Sequence, residues 1–264
     1  MTVRDAVGAA LDALAAAGCE TPRLDAEILI ADALRVDRGA LLADPDMAVP
    51  GSAARLIGER VRRRVAREPV AYILGRKGFR RIELLVDRRV LIPRPETELL
   101  VEVALELPVG ADVHDVGTGS GAVALALRDE RPDLVVHASD ASSPAVEVAR
   151  MNAARLSLPL DVRVARGLAP GSPAMVLANL PYVREDEWAS LQPEIVRYEP
   201  REALVGGVDG LDAIRELVGG APSGTRMALE HAPGQAKAVR ELLHESETRR
   251  DLAGHERVTL GLVR

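Results

Sequence analysis

The chain is poor in aromatic residues and in cysteine. Phe, Trp and Tyr make up 2% of its 264 residues, so the core has to be built from Ala, Val and Leu. Cys19 is the only cysteine, which excludes an internal disulfide and a metal cluster held by thiolates. No apolar run approaches the roughly 18 residues of a membrane-spanning helix, and the first residues lack the pattern of a signal peptide. We therefore expect a soluble protein of the cytoplasm.

An excess of positive charge is also missing. The net charge of −6 argues against a general nucleic-acid binder, because neutralising phosphates requires clustered Lys and Arg. One basic cluster exists, and it can be read either as a solvated helix face or as a patch that meets RNA or an acidic partner. This arginine cluster consists of Arg60, Arg62, Arg63, Arg64 and Arg67. The five histidines show no metal-ligand spacing, so we expect no metal site.

The first part of the chain has helical periodicity. Apolar residues recur at helical spacing from Val3 to Leu14, which predicts a first helix. Thr21 and Pro22 are typical of the N-cap and the first position of a second helix. The apolar stripe of that helix is expected on Leu24, Ile28, Ala31 and Leu34. A third long helix should carry the arginine cluster and complete a small helical bundle.

The rest of the chain is typical of β-strands mixed with helices. Short β-prone runs around Asp87 predict a β-hairpin that acts as a linker. After it, short apolar runs alternate with glycine turns and helical stretches, which predicts a mostly parallel sheet covered on both faces by helices. The expected strands are VHDVG, LVVHASD, DVRVA, AMVLAN, RMALE and the closing RVTLGLV. The predicted domains are therefore a helical domain at 1–75, a hairpin linker at 76–93 and an α/β domain at 94–264.

A glycine-rich loop follows the first strand of the α/β domain and opens a helix. Its candidate cofactor-binding residues are Asp115, Gly117, Thr118, Gly119, Ser120 and Gly121. Glycines let the backbone turn tightly and approach a ligand, while the amides of the helix face that ligand. Asp140 ends the next strand, where a carboxylate can accept hydrogen bonds from both hydroxyls of a ribose. Both acids can also be turn or cap residues, but together with the loop they predict a ligand that contains adenosine.

The tetrapeptide Asn179-Leu180-Pro181-Tyr182, here called the acceptor clamp, follows what should be the fourth parallel strand. Ligands gather at that edge of open α/β sheets. The Asn179 side-chain oxygen and the Leu180 carbonyl can accept both hydrogens of a planar NH2 group. Pro181 would fix the turn, and Tyr182 would offer a ring for stacking. The alternative is that the tetrapeptide is only a strand-to-loop turn. If it binds an amine, it favours S-adenosylmethionine as the cofactor, because a dehydrogenase that uses a nicotinamide cofactor has no need of this arrangement.

Several longer segments resemble one known family. They are EPVAYILGRKGF at 68–79, VLIPRPETELLVE at 90–102, DVGTGSGAVALAL at 115–127, EPREALVGGVDGLDAIREL at 199–217, and the closing ALEH, GQAKAV and DLAGHERVTLG. The family is that of the protein-(glutamine-N5) methyltransferases of peptide chain release factors, called PrmC or HemK. The resemblance runs over nearly the whole chain. The run at 92–98 is specific to this family, whereas other amino-group methyltransferases share only the cofactor loop and the clamp.

The resemblance implies a fold, a reaction and a set of site residues. The fold would be a Rossmann-like class I methyltransferase domain preceded by an N-terminal helical bundle and a β-hairpin linker. The enzyme would transfer a methyl group from S-adenosylmethionine to the glutamine amide of a Gly-Gly-Gln motif in release factors. The cofactor would be held by the glycine loop, Asp140, Leu168 and Asn179, and the glutamine by the acceptor clamp. Arg94, Glu96 and Thr97 would line the substrate side, and residues 1–75 would recognise the release factor.

Two departures from the family pattern keep other functions open. Leu180 stands where the family usually has Pro, and Gly167 and Leu168 stand where it commonly has an acid and a bulky residue, before a loop that looks shortened. One alternative is an enzyme that methylates adenine or cytosine in nucleic acid. The other is a non-catalytic binding protein of the translation machinery. We expect release factors as partners, with no membrane and no sequence-specific nucleic acid.

Overall fold

The computed structural model describes residues 1–168 and 173–264, and the chain divides into two compact units. The first unit is Met1–Gly75 together with Gln192–Tyr198, and the second is Arg76–Leu191 together with Glu199–Arg264. The domain boundaries predicted from the sequence assign Gln192–Tyr198 to the α/β domain. In the structure this segment packs with the helices of the first unit.

The elements follow in chain order. The helices are α1 (Val3–Ala16), α2 (Pro22–Leu34), α3 (Arg38–Ala43), α4 (Gly51–Val65), α5 (Val70–Leu74), α6 (Glu98–Leu105), α7 (Ala122–Glu130), α8 (Ser143–Leu156), α9 (Pro193–Tyr198), α10 (Asp212–Gly219) and α11 (Ala236–Leu242). The strands are β1 (Arg76–Phe79), β2 (Ile82–Leu85), β3 (Asp112–Val116), β4 (Val135–Asp140), β5 (Asp161–Val164), β6 (Met175–Ala178), β7 (Arg226–Glu230), β8 (Leu243–Arg250) and β9 (Glu256–Val263). Short 3-10 turns lie at Pro95–Thr97, Glu185–Ser190, Arg201–Ala203 and Pro233–Gln235.

Helix α2 of the first unit begins at Pro22 behind Thr21, as the sequence predicts. Its buried face differs from the predicted one, since Leu24 is exposed whereas the carboxylates Asp25 and Glu27 are buried. A buried face predicted from apolar residues alone cannot include these two carboxylates. A buried acid with a cationic partner looks like a surface residue until the partner is known.

Most of the arginine cluster is bound inside the first unit. Arg64 is 6% exposed and donates to both Asp25 and Glu194, each at 2.7 Å. Arg67 donates to the other oxygen of Glu194, also at 2.7 Å. Two further pairs are Arg60 with Asp32 at 2.5 Å and Arg63 with Glu68 at 2.8 Å. The reading of the cluster as a solvated helix face is therefore wrong for the buried Arg64, while Arg62 is exposed. The reading as a partner-binding patch stays a prediction.

The second unit is built on a sheet with the strand order β5-β4-β3-β6-β7-β9-β8. Strands β3 to β7 run parallel, while β9 is antiparallel to both β7 and β8. All six runs expected to be strands are strands. Strand β8 was not expected, because LHESETRR is mostly polar and lies at the edge of the sheet, where charged side chains are usual.

Both faces of this sheet are covered, as the sequence predicts. Neighbouring residues of β6 enter different apolar clusters, with Leu177 on one side and Val176 and Ala178 on the other. The first cluster includes residues of α6, α7 and α8, and the second includes residues of α10 and α11. Burial on both faces explains why the central strand β6, in which all four residues are buried, is a continuous apolar run.

A hairpin precedes the sheet, but its turn lies earlier than expected. Phe79 pairs with Ile82 across the antiparallel strands β1 and β2, so the turn falls on residues 80 and 81. Asp87 instead begins a tight turn of its own, in which the Val90 amide donates to the Asp87 carbonyl at 3.1 Å. The prediction of a hairpin is confirmed and its predicted position around Asp87 is wrong. In the described residues, no helix has the length and apolar character that crossing a membrane requires.

Candidate active site

The glycine loop joins β3 to α7 in the second unit. Gly117, Gly119 and Gly121 have φ angles of +77°, +55° and +85°, which side chains other than hydrogen rarely allow. Gly121 is the N-cap residue of α7. A Cβ atom at Gly119 would meet no atom within 4 Å, so this face of the loop is open. The loop thus has the backbone shape and the free space that a ligand at a helix N-terminus needs.

Asp115 organises this loop from inside. It is 2% exposed, and its Oδ2 accepts hydrogen bonds from the Thr118 hydroxyl at 2.6 Å and from the Ala124 amide at 3.2 Å. Burial raises the pKa of Asp115 to about 6, against the effect of these two hydrogen bonds, and the nearby charge of Asp140 adds to the rise. A direct contact of Asp115 with the cofactor stays a prediction.

Asp140 lies at the end of β4, beside the loop. Its Oδ2 accepts from the Gly119 amide at 2.9 Å, and its Oδ1 accepts from the Ser142 amide at 2.8 Å. Burial raises the pKa of Asp140, while the two amides oppose that shift. Each oxygen keeps a second lone pair for a ribose hydroxyl. Asp140 can therefore accept from the two backbone amides of the turn and still bind a ribose, because the amides hold its carboxylate in place.

Asn152 of α8 is a residue that the sequence pattern did not mark. It is fully buried, and its amide nitrogen donates to the Ser120 carbonyl at 2.9 Å and to the Leu85 carbonyl at 3.0 Å. Its side-chain oxygen accepts from the Leu85 amide at 2.7 Å. One side chain thus ties the glycine loop to strand β2. An Asn within a helix is usually exposed, so the position of Asn152 in the sequence does not indicate that it is buried and binds the glycine loop.

The acceptor clamp begins one residue after β6 and lies against the glycine loop. A Cβ atom at Gly117 would be 2.9 Å from Leu180 Cδ2 and 3.5 Å from the Asn179 carbonyl oxygen. A side chain there would push against the end of the Leu180 side chain, and the φ of +77° also favours glycine. The structure therefore brings the loop and the clamp together, as expected for the carboxyl edge of neighbouring parallel strands.

Asn179 is held by a residue of the run at 92–98. Its Nδ2 donates to Thr97 Oγ1 at 2.9 Å. Thr97 is 5% exposed and ends the 3-10 turn Pro95–Thr97. Because the amide nitrogen is engaged, the Asn179 Oδ1 atom is the one left to accept a hydrogen from a ligand. This is the orientation that a clamp for an NH2 group requires.

Tyr182, at the other end of the clamp, lies next to Glu230. The Tyr182 hydroxyl donates to Glu230 Oε1 at 3.4 Å, and Gln235 Nε2 donates to the Tyr182 carbonyl at 2.9 Å. Burial raises the pKa of Tyr182, and the charge of Glu230 adds to the rise. Glu230 is fully buried at the end of β7. Glu230 lies in the segment ALEH, which resembles the family, but no pattern in the sequence marks it as a site residue.

Two glycines of the GGVDG segment support the backbone of the clamp. A Cβ atom at Gly206 would be 2.2 Å from the Pro181 carbonyl oxygen, and one at Gly210 would be 2.1 Å from the Tyr182 carbonyl oxygen. No side chain fits at such distances. These residues lie in the family-like run at 199–217, and the structure supplies a reason for their glycines.

The other predicted substrate residues have partners within the protein. Arg94 donates to Glu199 Oε1 at 2.5 Å, and the other oxygen of Glu199 accepts from the Ile92 amide at 3.1 Å. Glu96 Oε1 lies 3.9 Å from a guanidinium nitrogen of Arg257. Contacts of Arg94 and Glu96 with a substrate stay predictions.

Leu168 packs with Leu180 on the apolar cluster that contains Val116 and Val176. Gly167, just before it, has a φ of +77°. The loop that looked shortened includes residues 169–172, which lie outside the described residues. The packing of Leu168 on an adenine ring stays a prediction.

Comparison with known proteins adds an independent observation. A model of the PrmC N-terminal domain matches residues 5–75, and a model of the methyltransferase small domain matches residues 95–202. The release factor glutamine methyltransferase of Caulobacter vibrioides is 38% identical over 284 residues, covering 99% of this chain and 96% of the relative. The one from Mycolicibacterium smegmatis is 40% identical, covering 97% and 95%. The chain belongs to the release factor glutamine methyltransferase family.

A solved structure supports the fold of this family member. The catalytic domain of hMettl16, solved in complex with the MAT2A 3'UTR hairpin 6, is 14% identical and has a TM-score of 0.50. The likeness covers 67% of this chain and 74% of that one. At this identity the likeness concerns the fold alone. The family and the methyltransferase fold that the sequence predicts are both confirmed.

Proposed function

We propose that this chain transfers a methyl group from S-adenosylmethionine to the side-chain amide nitrogen of the glutamine in the Gly-Gly-Gln motif of peptide chain release factors. The observation that carries the proposal is the Asn179 amide, whose nitrogen is bound to Thr97 beside the glycine loop. This leaves an oxygen facing the side where a planar NH2 group would lie. The names of the relatives, which are release factor glutamine methyltransferases, support the substrate.

The residues around the glycine loop fit the cofactor. The loop has an open face at Gly119, and Asp140 has free lone pairs beside it. Asp140 would hold the ribose, the loop amides would face the rest of the ligand, and Leu168 would pack on the adenine. When bound, S-adenosylmethionine supplies a methyl group on a sulfonium, which is already a strong donor. The task left to the protein is positioning.

The acceptor clamp would position and activate the glutamine amide. An amide nitrogen is a poor nucleophile because its lone pair is delocalised into the carbonyl. Asn179 Oδ1 and the Leu180 carbonyl would accept the two N–H hydrogens, which turns the nitrogen toward the donor and stabilises the positive charge that develops on it. Tyr182 would stack on the flat amide. No covalent intermediate with the protein is required.

A methyl-transfer assay tests this function directly. Purified chain, radiolabelled S-adenosylmethionine and intact release factor should give labelled release factor, and a release factor with the Gly-Gly-Gln glutamine replaced by Ala should stay unlabelled. Label that appears instead in added RNA would favour the nucleic-acid alternative. Cofactor binding without any transfer would favour the non-catalytic binding protein.

Recognition of the whole release factor would come from a second surface, which we place on residues 1–75. A lone glutamine side chain offers few contacts, so a short Gly-Gly-Gln peptide should need at least about tenfold higher concentration than intact factor, or ~1.4 kcal/mol. Comparable KM values for peptide and intact factor would argue against this second surface. Such a reaction would take place in the cytoplasm.

A further inference from the structure

We propose that Gln235 is a positioning residue of the acceptor clamp: its side-chain amide holds the backbone of Tyr182, and with it the ring that would stack on the glutamine amide. This inference rests on the proposed function and adds a residue to its site. Gln235 ends the 3-10 turn Pro233–Gln235, which follows strand β7. It would not touch the substrate itself. Its effect would be on the placement of a residue that does.

Every polar atom of the Gln235 side-chain amide has a partner. The Nε2 atom carries two hydrogens, and it donates to the Tyr182 carbonyl at 2.9 Å and to the Asp209 carbonyl at 3.0 Å. The Oε1 atom accepts from the Ala232 amide at 3.0 Å. A rotation of the amide by half a turn would place its oxygen against two carbonyls. These neighbours therefore determine the orientation of the amide.

The Tyr182 carbonyl depends on Gln235 for its hydrogen bond. The next residue along the chain is held by backbone instead, since the Val183 amide donates to the Leu204 carbonyl at 2.8 Å and the Val183 carbonyl accepts from the Gly206 amide at 2.9 Å. Among the described residues, Gln235 is the one hydrogen-bond partner of the Tyr182 carbonyl. A part-buried carbonyl without a partner costs free energy, so the backbone at Tyr182 should shift when this amide is removed.

The absence of a side chain at Gly210 gives this amide its room. A Cβ atom there would lie 2.1 Å from the Tyr182 carbonyl oxygen and 2.6 Å from Gln235 Nε2. The second carbonyl that the amide binds belongs to Asp209, the residue just before this glycine. One side chain thus joins the acceptor clamp to the GGVDG segment and keeps the two at a constant separation.

Tyr182 is held at its side chain as well as at its backbone. Its hydroxyl donates to Glu230 Oε1 at 3.4 Å, and Glu230 is the last residue of β7. Gln235 lies in the next element of the chain and holds the carbonyl. Contacts at both ends limit where the ring can lie. A ring that is already in place loses little conformational freedom when a substrate stacks on it.

A purely structural role would require less than this side chain provides. The hydrogen bond from the Ala232 amide to Oε1 caps the 3-10 turn, and a glutamate oxygen accepts such a bond equally well. What glutamine adds is the two hydrogens of Nε2, and both are used at the clamp and the GGVDG segment. Gln235→Glu separates the two roles, because it keeps the cap and places a carboxylate oxygen beside two carbonyl oxygens.

Single-turnover methyl transfer to intact release factor at saturating cofactor tests the proposal. The maximal rate of Gln235→Glu should be lower by about tenfold or more, because a small displacement of a positioning group can cost up to about 10²-fold. The half-saturating concentration of release factor should change much less, since most contacts with the factor would lie on residues 1–75. Gln192→Glu, the same change at an exposed glutamine, should keep the wild-type rate. A wild-type maximal rate in Gln235→Glu would overturn the proposal.

A double-mutant cycle shows whether Gln235 acts through Tyr182. Tyr182→Ala removes the stacking ring and should be slow by itself. Adding Gln235→Glu to it should lower the rate little further, because the ring that Gln235 holds is already gone. Losses that multiply, as they do for independent sites, would contradict the positioning role.

A second measurement does not depend on transfer. The chain has three tyrosines, so fluorotyrosine labelling gives few ¹⁹F NMR signals, and that of Tyr182 is identified by its loss in Tyr182→Phe. The signal should shift in Gln235→Glu and stay constant in Gln192→Glu. If the wild type transfers no methyl group to release factor but the signal shifts, the proposed function is refuted and the positioning role stands. Transfer by the wild type with an unshifted signal in Gln235→Glu refutes the positioning role alone. Gln235→Met, which has a similar length and no charge, replaces Gln235→Glu in both measurements if the glutamate variant does not fold.

Discussion

Asn179 makes a hydrogen bond on one side of its amide and offers an oxygen on the other, so its removal tests the clamp most directly. Asn179→Ala should lower single-turnover methyl transfer at saturating cofactor by about 10²-fold or more, by analogy with the loss of one oriented polar group at a reacting centre. Affinity for S-adenosylhomocysteine should fall much less than the transfer rate, and it serves as the control. Nearly normal turnover would reduce the tetrapeptide to a strand-to-loop turn.

Asp140 is the corresponding residue on the cofactor side. Asp140→Ala should weaken S-adenosylhomocysteine binding by roughly 1.5–3 kcal/mol in calorimetry, as expected for charge-assisted hydrogen bonds to the ribose. Because the carboxylate also accepts from the Gly119 and Ser142 amides, Asp140→Asn is the matched control. It keeps one acceptor oxygen and should lose less affinity. Equal affinity in all three proteins would remove Asp140 from the site.

The residues of the site differ in how far the sequence could predict them. The acceptor clamp and the glycine loop are contiguous, and their spacing relative to the strands indicates a function. Glu230 and Asn152 act through partners that are distant in the chain, such as Leu85, which lies 67 residues from Asn152. A contact of that kind depends on the sheet order and on helix packing. No local sequence pattern predicts such a contact.

Among the elements, the GGVDG segment permits a sharp test of backbone contact. Gly206→Ala should lower methyl transfer by tenfold or more, because its Cβ would lie 2.2 Å from the Pro181 carbonyl oxygen and force the clamp to move. Gly219→Ala, at the end of α10, is the control, since a Cβ there meets no atom within 4 Å. Transfer rates of both variants should be compared at saturating cofactor. Similar rates would mean that the clamp tolerates displacement.

Helix α4 provides a matched pair of arginines. Arg64→Ala leaves the buried carboxylates of Asp25 and Glu194 without their shared partner and should reduce the free energy of unfolding by about 3–5 kcal/mol. Arg62 is exposed, so Arg62→Ala should change it by at most ~0.5 kcal/mol. Denaturant unfolding measures both. Equal stability of the two variants would contradict a structural role for the ion pairs around Arg64.

At the scale of elements, periodicity predicted most of the architecture and failed where polarity is misleading. The central strands β3, β6 and β7 could be predicted because they are parallel and buried on both faces. Strand β8 and the buried acids of α2 could not, since a charged edge strand and an ion-paired helix face have the composition of exposed segments. The hairpin turn was misplaced because Asp87 has the character of a turn residue and indeed begins a turn, though not the one between β1 and β2.

For the molecule as a whole, Glu230 links stability to pH. Its folded-state pKa of about 7 lies above the ordinary value of 4.5, so the folded protein binds a proton there that the unfolded chain does not bind. This contribution to stability increases as the pH falls through about 7. The free energy of unfolding of the wild type relative to Glu230→Gln should therefore rise by ~1 kcal/mol from about pH 8 to pH 6.

The comparison with the variant is needed because other groups titrate in the same range. Burial lowers the pKa of His114 and of His231, so these residues reduce stability as the pH falls. Burial raises the pKa of Asp115, which acts in the opposite direction. These effects are common to both proteins and cancel in the difference. A difference that does not vary with pH would place the pKa of Glu230 outside this range.

The segment Gln192–Tyr198 has a consequence for the time course of synthesis. Arg67 leaves the ribosome 127 residues before its partner Glu194. At roughly 5–20 residues per second this corresponds to a delay of about 6–25 s. During that interval Arg67 lacks the carboxylate of Glu194, and Arg64 has only its other partner, Asp25. The earliest part of the chain to be made therefore completes its folding only after four of the seven strands of the methyltransferase sheet have been translated.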